Sequence, residues 1–372
     1  MTQKPTLVHD DKNRSLISLL RLIRTPRIGP KTTKNLIEEY GSAVAAIDAL
    51  PEKLRAAGRD PAQIGTEIAA RHELRIAAQK GIHVLGLGLP NYPKGLEALS
   101  NAPPILFLKG DINLLKRKRI GIVGARNASA LGLRFAHQLA RDLSAAGFCV
   151  TSGLARGIDA AAHHGSLERG TLAVQAGGLD VVFPQENAGL QHQIHAHGLS
   201  LSEHRLDTYP QARHFPRRNH ILAALCDAVI VVEAAISSGT MITAQAAADL
   251  GREVFAVPGH PFDSRASGSN ILIRDGAHLI RSAQDVMDVI AVEPYQLNLS
   301  DVTPHQQIPQ TLAPIAESAG DLLGALDETP TSEEILIAQS GIARGEALRQ
   351  IAEEEVLGRI RRHQGGLISR VA

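Results

Sequence analysis

VTSGLARGIDAAAH, Val150 to His163, runs from an apolar, β-rich segment into a glycine-rich turn and then into a helix. A turn of this kind presents backbone N–H groups to an anion. Ser152, Gly153 and Gly157 let the backbone approach a bound group closely, and Arg156 adds a fixed positive charge. Ile158 to His163 continues as a helix whose N-terminus faces the same point, so the expected ligand is a phosphate. IGIVGARNAS (Ile120 to Ser129) and VIVVEAAISSGTMITA (Val229 to Ala244) share this design, each an apolar run followed by small residues and a helical pattern. Three such loops on one sheet edge make a site.

Outward from these loops, residues 81–290 alternate strand and helix patterns, which predicts an α/β fold with a doubly wound, mostly parallel sheet. The expected strands are Arg119–Val123, Phe148–Thr151, Leu172–Ala176, Leu199–Ser202, Ala228–Val232 and Glu253–Val257, with ligands collecting at their carboxyl ends. Residues 1–80 read as a helical module, periodic in SLISLLRLI and KNLIEEYGSAVAAIDAL and broken by the turn Arg27-Ile28-Gly29-Pro30. It is similar to a helix-hairpin-helix or SAM-like module; Lys31 and Lys34 would suit nucleic-acid backbone, and a packing or partner role is the weightier alternative. Residues 291–320 hold Pro294, Pro304, Pro309 and Pro314 with four glutamines, a linker composition. Residues 321–372 read as short helices followed by a hairpin, the order of a winged helix.

At 372 residues the chain has room for two or three domains and a large core. Its net charge of +1 argues against a globally basic nucleic-acid binder. Charge is nevertheless uneven, with eight Lys or Arg against Asp111 alone between Lys109 and Arg141. The two cysteines, Cys149 and Cys226, lie in apolar runs, which suits buried thiols in a reducing cytoplasm rather than disulfides or zinc. No signal peptide opens the chain, and no apolar run approaches the ~20 residues that span a bilayer.

The loops themselves exclude the common nucleotide cofactors. Gly121-Ile-Val-Gly124-Ala-Arg126 is not G-x-G-x-x-G, and the next strand ends at Thr151 rather than at an acidic residue for a ribose. A P-loop is absent as well, because Gly29-Pro30-Lys31-Thr32 lacks the spacing. RLDTYPQARHFPRRNH, Arg205 to His220, interleaves Arg205, Arg213, Arg217 and Arg218 with Tyr209 and Phe215. Guanidinium forks suit phosphates and an exposed base stacks on Phe215, worth ~1–3 kcal/mol. The competing reading makes Phe215-Pro216 a core anchor and the arginines a solvated face. His192, His195 and His197 lack acidic or cysteine partners at ligand spacing, so no metal site is expected. His163 is placed to hydrogen-bond the anion loop or its ligand.

SGLARGID with its AAAH, FPRRN, VVEA with SSGTMITA, AVPG and SGSNILIRDGA together closely resemble the bacterial DNA-processing family DprA/Smf. The resemblance covers essentially the whole chain, and YPKGLEALSNAPPILFLKGD, Tyr92 to Asp111, resembles the family's lead-in to the first sheet strand. It implies an extended Rossmann-like core between a SAM-like and a winged-helix-like domain. It further implies a non-enzymatic role in natural transformation: binding and shielding single-stranded DNA and loading RecA onto it, as a homodimer and without a cofactor. Carried over by position, Gly124 and Arg126, Ser152 with Gly153, Arg156 and Gly157, Phe215 with Arg217, Arg218 and Asn219, and Ser237, Ser238, Gly239 and Thr240 line the DNA pocket. Ala125 stands where many members have Ser or Thr, and His220 where Arg is usual. His220 would make binding depend on pH near neutrality.

A competing resemblance is to the nucleoside-monophosphate phosphoribohydrolases of the lysine-decarboxylase-like group, which share the glycine loop and sheet. Those enzymes place a glutamate shortly after PGG-x-GT, whereas here Glu233 precedes the loop and Asp249 lies far along the helix, which disfavours catalysis. Glu233 and Asp159 are expected to orient nearby arginines and N–H groups. In the C-terminal region, Arg344 to Glu355 carries four glutamates against two arginines, a poor balance for a duplex groove and a better one for a partner or regulatory domain. Ile271, Leu272 and Ile273 are read equally as a dimer surface and as ordinary core.

Overall fold

The computed structural model describes residues 7–290 and, in the C-terminal part, residues 331–332, 336–337, 344–357, 359–363 and 367–370. Four helices open the chain: α1 (Leu7–Arg24), α2 (Pro30–Tyr40), α3 (Ala43–Ala56) and α4 (Glu67–Gln79). Ser42 and Thr66 cap α3 and α4 by accepting from Ala45 and Ala69 N–H, and Pro30 opens α2 where no backbone donor is needed. Leu16, Leu19, Leu20, Leu36, Ile47, Leu50 and Leu54 meet in one core that also takes in Phe107 of the sheet. Lys34 of the hairpin donates to the Glu97 and Leu99 carbonyls, so one of the two lysines considered for nucleic acid fastens the module to the core instead.

The sheet has nine strands: β1 (His83–Gly86), β2 (Ile105–Gly110), β3 (Arg119–Val123), β4 (Cys149–Ser152), β5 (Thr171–Val174), β6 (Leu199–Ser202), β7 (Ala228–Val231), β8 (Glu253–Ala256) and β9 (His278–Leu279). Their order is β1-β2-β6-β5-β4-β3-β7-β8-β9. All neighbours from β6 to β9 are parallel, whereas β2 runs antiparallel to both β6 and β1. The expected strands are present within two residues, and β1, β2 and β9 add to them. The chain winds one way from β3 to β6 and the other way from β7 to β9. Between β3 and β7 lies the topological switch point, where α/β sheets collect ligands at the strand carboxyl ends.

The helices α5 (Lys94–Glu97), α6 (Ala130–Ala145), α7 (Ile158–Ser166), α8 (Ala188–His197), α9 (His214–Leu225), α10 (Gly239–Asp249) and α11 (Ser267–Arg274) connect the strands, and α12 (Ala283–Val289) follows the last of them. Both sheet faces are covered, so the central strands read as continuous apolar runs. On β7, Val229 and Val231 pack with Ile221, Leu225 and Ala247, while Ala228 and Ile230 pack with Leu139, Phe148 and Val286 on the other face. Cys149 and Cys226 are buried free thiols, and burial pushes both up to about 12.

The C-terminal unit carries a three-stranded sheet ordered β10 (Thr331–Ser332), β12 (Leu367–Arg370), β11 (Ile360–His363), with helix α13 (Arg344–Val356). Leu336, Ala347, Ile351, Ile360 and Ile368 form its core. The expected linker at 291–320 lies outside the described residues. Among the described residues no helix is long and apolar enough to cross a membrane.

Candidate functional site

Three loops leave the carboxyl ends of β3, β4 and β7 beside the switch point, and backbone contacts lock them together. Gly157 has φ +76°, and a Cβ there would lie 2.3 Å from the Ala125 carbonyl. Only glycine allows this approach, which lets Ile158 N–H bond Ala125 O at 3.2 Å. Thr240 Oγ1 donates to Gly124 O (3.1 Å) and Asn219 Nδ2 to Gly239 O (3.2 Å), joining the β7 loop and α9 to the same edge.

The loop after β4 is held in an unusual conformation. Leu154 is a left-handed non-glycine residue at φ +56°, and such strain persists only where the surroundings over-determine it. Asp159 Oδ2 accepts from the N–H groups of Gly153 (3.1 Å) and Ala155 (3.4 Å), and Asn187 Nδ2 donates to the Leu154 and Ala155 carbonyls. Arg218 supplies the third restraint. It is only 6% exposed and donates to Gly153 O, to Val174 O at 2.8 Å and to Asn219 Oδ1 at 3.0 Å. Burial raises the Asp159 carboxyl and lowers the Arg218 guanidinium, while each charge supports the other.

These elements enclose a cavity of about 390 Å³ lined by Arg126, Gly153, Arg156, Arg218, Phe183 and Phe215 together with Gln175, Tyr209 and Glu186. Its rings form a cluster: Phe183 lies 6.0 Å from Tyr209, edge-on, and 5.7 Å from Phe215. The Arg126 guanidinium sits 5.3 Å from the Phe215 centroid. Arg126 and Arg156 are exposed, and the bond from Arg156 to Glu186 is a long 3.5 Å between half-exposed groups, which holds it weakly. The cavity can therefore offer flat apolar faces to a ring and two accessible cations to an anion.

The residues singled out from sequence divide into three groups. Gly153, Arg126, Arg156, Phe215 and Arg218 line the cavity. Gly124, Gly157, Ser237 and Ser238 lie on the joined loops beside it, with Asn219 in α9 and Gly239 and Thr240 opening α10. The hydroxyl of Ser238, at the N-cap of α10, is buried without a partner, which leaves a polar atom free at a helix N-terminus. Ser152 and Arg217 are placed elsewhere: Ser152 is fully buried with its hydroxyl on Ile122 O, and Arg217 is ion-paired with Glu203 in a separate cleft beside Arg24 and His204.

One further placement differs from what the sequence suggests. His163 is fully buried and bonds Thr171 Oγ1 at 2.9 Å, not the anion loop. Thr171 donates its own proton to Val150 O, so His163 Nδ1 is the donor, and burial lowers this histidine to about 3. FPRRN forms the first turns of α9, with Pro216 near the helix start where its missing donor costs nothing. As expected, Glu233 serves structure: it accepts from Ser129 N–H (2.9 Å) and Oγ (2.5 Å) at the start of α6. Among the described residues no His, Cys, Asp or Glu group could hold a metal.

Phe183, Gln175 and Asn187 lie outside the site residues that the sequence singles out. Phe183-Pro184 was the one available signal, an aromatic beside proline in a chain with 3% aromatic residues.

Comparison with known proteins gives the same architecture. The family described as DNA recombination-mediator protein A matches residues 83–291, a DprA-like N-terminal HHH domain matches 13–76, and a DprA winged helix domain matches 306–366. DNA processing protein DprA of Bacillus subtilis is 42% identical over 213 residues, covering 56% of this chain and 72% of that protein. Protein Smf of Escherichia coli is 32% identical over 297 residues, covering 78% of each. The X-ray structure of Streptococcus pneumoniae DprA superposes with a TM-score of 0.63 at 33% identity, over 75% of this chain and 98% of that one. The Helicobacter pylori DprA structure, described for that protein's single-stranded DNA binding mode, superposes at 0.52 with 30% identity, over 56% and 94%. The chain belongs to the DprA/Smf family of DNA recombination-mediator proteins.

Proposed function

We propose that this chain binds single-stranded DNA at the carboxyl edge of its sheet, shields it, and delivers it to a RecA-type recombinase, acting as a homodimer without catalysis. The observation that carries the reading is the cavity in which Arg126 and Arg156 stand beside Phe183, Tyr209 and Phe215. Cations for the backbone beside flat rings for bases are the two components of single-strand recognition. The single-stranded DNA binding mode described for the Helicobacter pylori relative supports the same assignment.

Two acids near the site serve structure, Glu233 at the start of α6 and Asp159 in the Gly153 loop, while Glu186, the acid that lines the cavity, faces Arg156. In the C-terminal unit, Arg349 of α13 is paired with both Glu346 and Glu353, in keeping with a partner or regulatory role rather than groove reading. Ile271, Leu272 and Ile273 are half-buried on α11, with Leu272 packed on the core, which leaves Ile271 and Ile273 for the dimer surface.

The test is fluorescence anisotropy of a labelled oligothymidine over a salt series, with duplex as competitor, for wild type and the Arg126→Ala/Arg156→Ala variant. Wild type should bind tightly, duplex should compete poorly, and the variant's log–log salt slope should fall by roughly 0.7 per lost phosphate contact. A folded wild type that binds no oligonucleotide overturns the proposal and directs the next assay to N-glycoside cleavage of nucleoside monophosphates.

A further inference from the structure

The loop between β8 and α11, residues 257–266, carries the most exposed large apolar side chain among the described residues. Phe262 is 94% exposed, in a chain with seven phenylalanines and no tryptophan. A single exposed hydrophobe needs no explanation, but one held out by dedicated bracing does. Asp263 N–H bonds His260 O at 2.9 Å, which makes His260–Asp263 a tight turn with Pro261 and Phe262 at its corner. At its base, Asn270 clasps Gly259 twice, accepting from its N–H (3.1 Å) and donating to its carbonyl (3.0 Å). Asp263 accepts from the Arg265 backbone and holds its guanidinium by two bonds. The His260 ring lies 5.5 Å from Phe262, on a tilt of 42°.

Position gives this turn its meaning. β8 is parallel to β7, so its carboxyl end lies on the same sheet edge as the β3, β4 and β7 loops. Gly268, in the first turn of α11, donates to Ala234 O at 2.7 Å and lies against Ala235 and Met241. It therefore packs on the segment that becomes Ser237–Thr240. Between the two lies Ile236, itself 58% exposed. The aromatic turn continues the candidate site on the side away from the cavity.

We propose that Phe262, with His260, is a second stacking platform, which takes a base of the same strand after it has crossed the Ser237–Thr240 loop. This rests on the single-strand reading above and extends it from one cavity to a track along the sheet edge. The occupant follows from the chemistry. Arg265 is matched by Asp263, so the turn offers a ring face rather than an additional charge, and every base carries a complementary face. Strands too short to reach from the cavity gain nothing from it.

The absence of tryptophan makes the test direct, because Phe262→Trp creates the chain's one indole. Full-length Phe262→Trp is titrated with a short and a long oligothymidine while anisotropy of labelled copies of both is followed, and Phe262→Ala is measured beside it. The long strand should quench the indole and the short one should not. Phe262→Ala should bind the long strand about tenfold more weakly with unchanged affinity for the short one. Binding of the long strand without quenching, and with Phe262→Ala equal to wild type, overturns the platform while leaving the cavity reading intact. An indole signal that tracks protein concentration alone, with a lower mass for Phe262→Ala by light scattering, overturns it in favour of a contact between chains. Absence of binding by wild type removes both readings.

Discussion

Replacing Arg218 by Met should unravel the β4 loop before it tells anything about ligand affinity. The side chain is 6% exposed and bonds the Gly153 and Val174 carbonyls and Asn219 while facing the buried Asp159 carboxylate. Methionine matches its length but restores none of these bonds. A buried acceptor left without its donor costs about 1–3 kcal/mol, so stranding the Gly153 and Val174 carbonyls together costs about 3 kcal/mol or more, against a total stability of about 5–15 kcal/mol. The buried Asp159 charge, which loses a nearby cation, acts in the same direction. With a urea slope of about 3 kcal/mol/M, the midpoint should fall by about 1 M or more. Asp159→Asn in the Met background removes the stranded charge while its amide oxygen still accepts from Gly153 and Ala155. The double variant should therefore recover part of the loss, with a coupling energy above ~1 kcal/mol. The assay is urea denaturation of the full chain followed by far-UV circular dichroism. An Arg218→Met protein within ~0.5 kcal/mol of wild type, or a double variant no more stable than the single, refutes the assignment.

Two other outcomes follow from the same geometry. His163 is fully buried and lowered from 6.5 to about 3, so below pH ~6.5 the unfolded chain takes a proton that the native state refuses. Stability should fall by roughly 2 kcal/mol between about pH 7 and about pH 5 from this group, with His195 and His204, lowered to about 4, adding in the same direction. His163→Asn can still donate to Thr171 and does not titrate; urea midpoints across that range should show a flatter slope, and an unchanged one would exclude His163 as a source. Gly157→Ala places a Cβ against the Ala125 carbonyl at positive φ. It should destabilise by roughly 2–4 kcal/mol and separate the β3 and β4 loops, and a thermal melt coincident with wild type would show that the loops tolerate separation.

Much of this molecule is legible in its sequence because the governing signals are local. Apolar runs such as VIVV and FCVTS fill both faces of a covered sheet, and the periodic helices between them leave a doubly wound arrangement as the natural solution. Glycine at 157 and the small residues at 237–240 mark backbone that must approach something closely. β1, β2 and β9 were not read because they are short edge or antiparallel strands, whose identity comes from the neighbours they pair with.

Which arginine is free to meet a ligand is a different kind of question. Arg126, Arg156, Arg217 and Arg218 are chemically identical as letters. Tertiary structure separates them: Arg217 is taken by Glu203, Arg218 is drawn into the sheet edge by two carbonyls, and Arg126 and Arg156 remain at the surface. Phe183, Asn187 and the exposed Phe262 likewise acquire their roles only when distant segments converge. Sequence alone determined the family, the fold and the sheet edge proposed for binding, because backbone geometry and hydrophobic periodicity are written over a few residues at a time. Tertiary structure decided which side chains stand exposed at that edge, because the partners that neutralise a charge or cover a ring come from positions far along the chain.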